Sequence, residues 1–169
     1  MKTSNKTYIL LCLLLASLST PDAWASEILE SDEFKQQEKT YYDTLADIND
    51  LMRDHVQQEF EKVMADPQYR LDYRNESVRQ QAHALMQGAI EFKEKILSKM
   101  AINSPSRCQQ KIDHYRANDL AEFKNILGQY LQDKDHVLFP VLIAGHVHSQ
   151  SQLINTILDC DLIRKGVMD

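Results

Sequence analysis

The chain has 169 residues, of which 43% are apolar, and it contains only four glycines and four prolines. This length fits one domain with a hydrophobic core, and the scarcity of turn-forming residues argues against a turn-rich β fold. The 25 acidic and 19 basic side chains give a net charge of −6 without a basic stripe. Such a balance excludes the usual electrostatic basis for binding nucleic acid or an anionic membrane surface.

The first 25 residues have the three parts of a secretory signal peptide. Two lysines precede an almost wholly apolar run at residues 8–18, and residues 23–25 read Ala-Trp-Ala, a small-x-small cleavage site. The apolar run is too short to span a bilayer. We therefore expect residues 1–25 to be removed and residues 26–169 to form a single domain that is exported, either to a periplasm or out of the cell.

Residues 28–65 are predicted to form one long amphipathic helix. Its apolar positions, in order, are Phe34, Tyr41, Leu45, Ile48, Met52, Val56, Phe60 and Val63. The first five follow a seven-residue period, and the last three continue the helical period on a shifted stripe. Asp66-Pro67 ends the helix, because proline disfavours the helical conformation in the residue before it. At roughly 55 Å this helix exceeds the others, so we expect it to overhang the bundle or to pair with another copy.

The second helix carries the most regular pattern and is expected to run to about Met100. Ser77 with Gln80 resembles a capping box at its start. Its apolar residues are Val78, Ala82, Leu85, Ala89, Phe92 and Ile96. Alternating steps of four and three are typical of a coiled-coil seam. This seam is either a docking surface for another protein or an internal seam of the bundle, and the pattern favours the internal seam.

A third helix is predicted to start at Ser104-Pro105, as an N-cap followed by proline. Its apolar face comprises Cys108, Ile112, Tyr115, Leu120, Phe123, Leu127 and Tyr130. Asp119 with Glu122 forms a second possible cap, so a kink or break is expected near Asn118. A polar run at residues 132–136 predicts the next turn.

The last helix is expected to start near Asp135 or slightly later, with Pro140 in its first turn. Its apolar residues cover more than one face: Val141, Leu142, Ile143, Val147, Leu153, Ile154, Ile157, Leu158 and Leu162. Either this helix is the most buried one or a second subunit covers its outer side, so a homodimer is a hypothesis. Four such helices with short connections predict an all-α, antiparallel four-helix-type bundle.

Cys108 and Cys160 are predicted to form a disulfide. Each lies 26 residues from Lys134, in the expected turn, so an antiparallel hairpin places the two sulfurs side by side. Cys12 leaves with the signal peptide, and an even pair of cysteines in an exported chain indicates a disulfide. The alternative is two unpaired buried thiols. In either case the role of these residues is structural.

No histidine spacing in the sequence predicts a metal site. His146 and His148 lie about 200° apart on a helix and point in nearly opposite directions. His55, one heptad after Ile48, is interpreted as a histidine at the edge of the core.

One short segment resembles a known metalloprotein family. Residues 135–140 read Asp-His-Val-Leu-Phe-Pro and resemble the E-x-x-L-F-P segment of haemerythrin-like four-helix proteins, which implies a di-iron centre. Leu131 stands where that family has a histidine ligand, and Gln87 stands where a glutamate would follow His83. The ligand set is therefore incomplete, and we assign neither the family nor a metal.

The sequence shows no sign of an enzyme. The exported cysteines are committed to the disulfide, no G-x-S-x-G elbow is present, and the carboxylates lie in solvated runs along helix faces. We predict no catalytic, cofactor-binding or metal-binding residue. The leading hypothesis is a non-enzymatic protein that binds another protein, as an inhibitor or immunity factor, a chaperone-like subunit or an effector. The alternative is a bundle that holds a small ligand or metal between its helices, using inward histidines and tyrosines.

Overall fold

The computed structural model describes residues 23–70, 72, 74–133 and 138–168, and this part of the chain is an all-α bundle without strands. The helices are α1 Ala23–Leu29, α2 Asp32–Ala65, α3 Glu76–Ala101, α4 Ser106–Tyr115, a π-helical segment Arg116–Leu120, α5 Ala121–Gln132 and α6 Phe139–Arg164. α2 packs on α3, and α4 and α5 pack on α6. None of the described helices is long and apolar enough to cross a membrane.

Helix α2 is long and only its first part is packed in the bundle. Ser31 caps its start by accepting a hydrogen bond from the Phe34 amide at 3.2 Å, and the predicted stripe Phe34, Tyr41 and Ile48 is buried. The prediction that Val56 and Phe60 also face the core is wrong, because these side chains are 45% and 59% exposed. The 34 residues of α2 span about 51 Å, roughly 12 Å more than α3, so the end of α2 overhangs the bundle.

Helix α3 lies at the centre of the bundle, and its predicted seam is internal. All six seam residues from Val78 to Ile96 are at most 8% exposed, which rules out the docking-surface interpretation. The predicted capping box at Ser77 and Gln80 is wrong. Asn75 is the N-cap, and its side-chain oxygen accepts a hydrogen bond from the Val78 amide at 3.1 Å.

The third predicted helix is one rod with an irregular middle. A π-helical segment lies where a kink or break was expected near Asn118, but no new cap forms at Asp119, because the backbone runs on from α4 into α5. The buried residues Tyr115 and Leu120 are five positions apart, and the π-turn absorbs the extra residue so that both face the core. The predicted cap at Ser104 is also wrong: Pro105 is the N-cap and has no side-chain cap, while the Ser104 hydroxyl donates to the Met100 carbonyl.

Helix α6 folds back along α4 and α5, as the hairpin prediction requires. It starts at Phe139 with Pro140 in its first turn, whereas the predicted pivot Lys134 and the predicted start Asp135 lie outside the described residues. Its buried seam is partly polar, since His146, Ser149 and Thr156 are at most 8% exposed. The apolar residues predicted on its outer side, among them Val141, Val147 and Leu158, are exposed.

The short helix α1 contains the predicted cleavage site. It packs on α6, where the Arg164 guanidinium lies 4.1 Å from the centre of the Trp24 ring, and Ala25 is buried. Residues 1–22 of the predicted signal peptide lie outside the described residues. A peptidase takes its substrate in extended form, so cleavage after Ala25 requires that the chain reach the peptidase before α1 has folded.

The connection from α2 to α3 is fastened to the overhang by Glu59. The carboxylate of Glu59 accepts hydrogen bonds from Lys62 at 2.5 Å, the Asp72 amide at 2.9 Å and the Tyr69 hydroxyl at 2.9 Å. The hydrogen bonds from Lys62, Asp72 and Tyr69 hold the pKa of Glu59 at about 2. Lys62 donates to one oxygen of the carboxylate, and the Asp72 amide and the Tyr69 hydroxyl donate to the other.

We expect Glu59→Gln to release this connection from α2. Because the pKa of Glu59 is lowered to about 2, its stabilising contribution is complete above its ordinary value of 4.5 and is lost as the pH falls toward 2. The protection factor of the Asp72 amide, which is its intrinsic exchange rate at a given pH divided by the observed rate, should fall in the variant at neutral pH, and in the native protein only in acid. Glu61→Gln is the control, since Glu61 is exposed and accepts only from Gln57. Equal exchange at Asp72 in both variants would contradict this role of Glu59.

Candidate functional site

The predicted site residues Cys108 and Cys160 form a disulfide, with an S–S distance of 2.05 Å and a Cα–Cα distance of 4.9 Å. Both residues are fully buried. The bond joins the first turn of α4 to the last turns of α6, at the open end of the hairpin. Lys111 and Asp159 form an ion pair across the same two helices at 2.8 Å. The disulfide is therefore part of the framework that positions other residues.

His146 and His148 lie in different surroundings, as their spacing predicts. His146 is buried, whereas His148 is exposed and lies 3.4 Å from Asp119. His55 contacts the Asp72 carbonyl at 2.7 Å. Within the described ranges, no group of three or more histidine, cysteine or carboxylate side chains is arranged to hold a metal.

The haemerythrin-like segment contributes no visible ligand. Its residues 135–137 lie outside the described part of the chain. Gln87, at the position where that family has a glutamate, is exposed and donates to Glu91 at 3.1 Å. The resemblance therefore does not extend to a ligand set.

A pocket opens between α2, α3 and α6, and a lysine lies inside it. Lys93 is 1% exposed, and its ammonium donates to the Gln150 side-chain oxygen at 2.8 Å and lies 5.6 Å from the centre of the Phe123 ring. Within the described part of the chain, no carboxylate forms an ion pair with it. The lining residues are Gln37, Glu38, Tyr41, Tyr42, Ala89, Phe92, Lys93, His146 and Gln150.

Two further polar side chains in this pocket lack partners. The Tyr41 and His146 rings stack with their centres 3.9 Å apart and their planes at 13°. Tyr41 is 4% and His146 is 7% exposed. The Tyr41 hydroxyl and the His146 Nδ1 are buried without a hydrogen-bond partner among the residues that the structure describes. Buried polar groups are usually paired, so two unpaired groups beside a buried lysine mark this pocket as unusual.

Burial controls the charge of all three groups. Desolvation lowers the pKa of Lys93 to about 7, because the interior disfavours the ammonium form. Burial, and after it the nearby charge of Lys93, lowers the pKa of His146 to about 3, so its imidazole is neutral. Burial, with a smaller effect of Tyr42, raises the pKa of Tyr41 to about 12. At neutral pH the pocket thus contains a lysine near its titration point, a neutral imidazole and a protonated phenol.

The pocket is small and partly open to solvent. Its free space, counted with the opening, is about 320 Å³. Its enclosed part has room for about one ordered water or one small polar group, and anything larger must extend toward solvent.

A second candidate site is an exposed seam on α2, which we call the outer seam. It consists of Tyr42, Ala46, Asn49, Arg53, Val56, Phe60 and Met64. The steps of four and three residues place them on one side of the helix, away from the stripe that packs on α3. Val56, Phe60 and Met64, at its end, are 45%, 59% and 70% exposed. A soluble helix normally shows polar residues on such a face.

Comparison with known protein families, curated proteins and solved structures finds no match to this chain. Its function therefore has to be argued from these two sites.

Proposed function

We propose that this protein is exported and acts, without catalysis, by binding another protein through the outer seam of α2. The observation that carries the proposal is the row Val56, Phe60 and Met64, which stays exposed beyond the end of the bundle. Apolar side chains in a row on a free helix are the usual anchors for a second helix. The partner surface that fits them is the apolar face of an amphipathic helix.

Charge on the overhang favours a basic partner. Residues 49–66 contain five acidic side chains and two basic ones, Arg53 and Lys62, a net charge of −3. Arg53 is already paired with Asp50 at 2.9 Å. Two copies of this acidic segment would repel each other, whereas lysine or arginine beside the apolar face of a partner helix would attract it. We therefore favour a different protein over a second copy as the occupant of the outer seam.

Site-specific cross-linking tests this proposal. A photoreactive phenylalanine analogue is placed at position 60 in one variant and at position 58 in another, in the cell that produces the protein. Gln58 is exposed on the opposite side of the same turn, so it is the matched control. We expect irradiation to link position 60, but not position 58, to one other protein, and Val56→Glu to abolish the product.

The linked peptide identifies the occupant. A peptide with apolar residues at helical spacing and flanking basic residues is the expected result. Equal products from positions 58 and 60, or a linked peptide without that pattern, would contradict the docking surface. A product of two identical chains would replace this partner with the homodimer.

The export part of the proposal predicts the fluorescence of the mature protein. Trp24 is the chain's single tryptophan, and cleavage after Ala25 removes it. Protein recovered from outside the cytoplasm should therefore show tyrosine emission only. The same chain made without export keeps Trp24 and serves as the control. Tryptophan emission from the exported protein would place the cleavage site elsewhere.

A further inference from the structure

We infer that the pocket at Lys93 binds a small monocarboxylate, with the carboxylate held between the Lys93 ammonium and the Tyr41 hydroxyl. Tyr42 of the outer seam also lines the pocket, but the anchors Val56, Phe60 and Met64 do not, so this binding activity is independent of the proposed partner. The inference rests on three buried polar groups that line one pocket: the Lys93 ammonium, which donates to the neutral side chain of Gln150, and the Tyr41 hydroxyl and His146 Nδ1, which have no hydrogen-bond partner among the described residues. A carboxylate supplies two acceptor oxygens and one negative charge.

Lys93 is the group that requires an anion most. Its ammonium is buried and donates to a neutral amide, Gln150, at 2.8 Å, although it has three protons to donate. A buried charge costs stability unless it is paired with an opposite charge. The described residues supply no carboxylate to this ammonium, and a ligand carboxylate would supply one.

Tyr41 and His146 supply the remaining donors. The Tyr41 hydroxyl is protonated and unpaired, so it can donate to the second carboxylate oxygen. The His146 Nδ1 is also unpaired and, in the tautomer with its proton on that nitrogen, becomes a third donor. Their stacked rings fix both groups relative to each other.

The shape of the pocket sets the size and charge of the ligand. The space beside Lys93, Tyr41 and His146 holds the carboxylate, and a short apolar tail then lies along Ala89, Phe92 and Tyr42 of the same lining. Glu38 also lines the pocket, and its negative charge disfavours a second carboxylate on the ligand. A short aliphatic or aromatic monocarboxylate therefore fits better than a dicarboxylate.

Calorimetric titration of the mature protein with butyrate and with benzoate tests the inference. We expect binding of one or both, with Lys93→Met reducing the affinity by about tenfold or more, since a charge-assisted hydrogen bond is lost. Tyr41→Phe should weaken binding severalfold. Lys95→Met is the matched control, because Lys95 is on the same helix but exposed and paired with Glu33, and its affinity should equal that of the native protein.

Related compounds and pH give further readouts. Butyramide, which has no charge, and succinate, which has two carboxylates, should bind much more weakly than butyrate. The charged and titratable groups at the pocket are Lys93, His146, Tyr41, Tyr42 and Glu38. The pKa of Lys93 is about 7, whereas the pKa of His146 is about 3 and that of Tyr41 is about 12. Butyrate should therefore bind tighter below pH 7 than above it.

Four results would overturn the inference. They are no binding of either monocarboxylate, equal affinity in the Lys93→Met variant, equal binding of butyramide, and equal loss in the Lys95→Met control. Each of these leaves the cross-linking result at position 60 unaffected, so the pocket and the outer seam are tested separately.

Discussion

Replacing Lys93 with methionine is expected to raise the free energy of unfolding at and below neutral pH by on the order of 3 kcal/mol. Methionine has a similar length and no charge, so it fills the same space beside Phe123 without the need to desolvate an ammonium. Gln150 is only partly buried and can turn to solvent when it loses its partner. Lys93 is thus a residue that costs stability, which is typical of a functional position.

The stability gain of Lys93→Met should change with pH in a defined direction. The pKa of Lys93 is lowered from 10.5 to about 7 in the folded protein, so between these values the unfolded chain binds more protons than the folded one. The cost of the buried ammonium is therefore complete below pH 7 and disappears as the pH rises toward 10.5. The stability gain of Lys93→Met should be largest below pH 7 and vanish at the alkaline end.

Urea unfolding at several pH values measures both effects. Lys95→Met is again the control: it loses an exposed ion pair to Glu33, which should change the stability by less than about 1 kcal/mol at any pH. A Lys93→Met protein that is less stable than the native one at pH 6 would mean that Lys93 is a structural cation with a partner. With saturating butyrate, the stability difference between the Lys93→Met variant and the unsubstituted protein should become smaller. Butyrate stabilises the unsubstituted protein by binding its folded state, whereas the variant binds butyrate more weakly.

Sequence periodicity predicted the helices because each has an apolar stripe, but it did not predict Lys93. The regular spacing predicts only the first seam of α3, whereas Met86, Ile90, Leu97 and Met100 form a second buried stripe beside it. Lys93 lies in this second stripe, three residues after Ile90 and four before Leu97. A lysine normally indicates a solvated face, so its position within an apolar stripe is the feature of the sequence that indicates a buried lysine.

The pattern of α2 does not show how far the neighbouring helices extend along it. The pattern of α2 correctly places Phe34, Tyr41 and Ile48 in the core, yet the shifted stripe that follows it wrongly predicts core positions at Val56 and Phe60. Val56 and Phe60 are exposed because the helices that pack on α2 end before they reach these residues. Where those helices end along α2 depends on how the helices are aligned in the bundle. The five-residue step from Tyr115 to Leu120, by contrast, is visible in the sequence and explains the π-helical segment.

Removing the disulfide is the second change with a large expected effect. The hairpin symmetry of Cys108 and Cys160 about Lys134 predicted the bond, and the two sulfurs lie at bonding distance. The closed loop spans 52 residues and contains α4, α5 and α6, so opening it releases about 4 kcal/mol of chain entropy in the unfolded state. The midpoint of thermal unfolding should fall by roughly 10 °C.

Cys160→Ser gives the simplest test of this value, but it also leaves a buried hydroxyl and the Cys108 thiol near Ser104. The double variant Cys108→Ala with Cys160→Ala removes both polar groups, and the native protein in reductant provides the third comparison. Both variants and the reduced native protein should lose a similar amount of stability, and reductant should have no further effect on the two variants. Because α2 and α3 lie outside the closed loop, the pocket at Lys93 depends on the disulfide only through α6 and through Phe123 of α5. Binding of butyrate should therefore survive in the reduced protein at temperatures below its new midpoint of thermal unfolding.

An unchanged midpoint of thermal unfolding in both variants and in reductant would contradict the stabilising contribution of the disulfide. A loss of helix content at low temperature would mean that α6 does not stay in place without the disulfide.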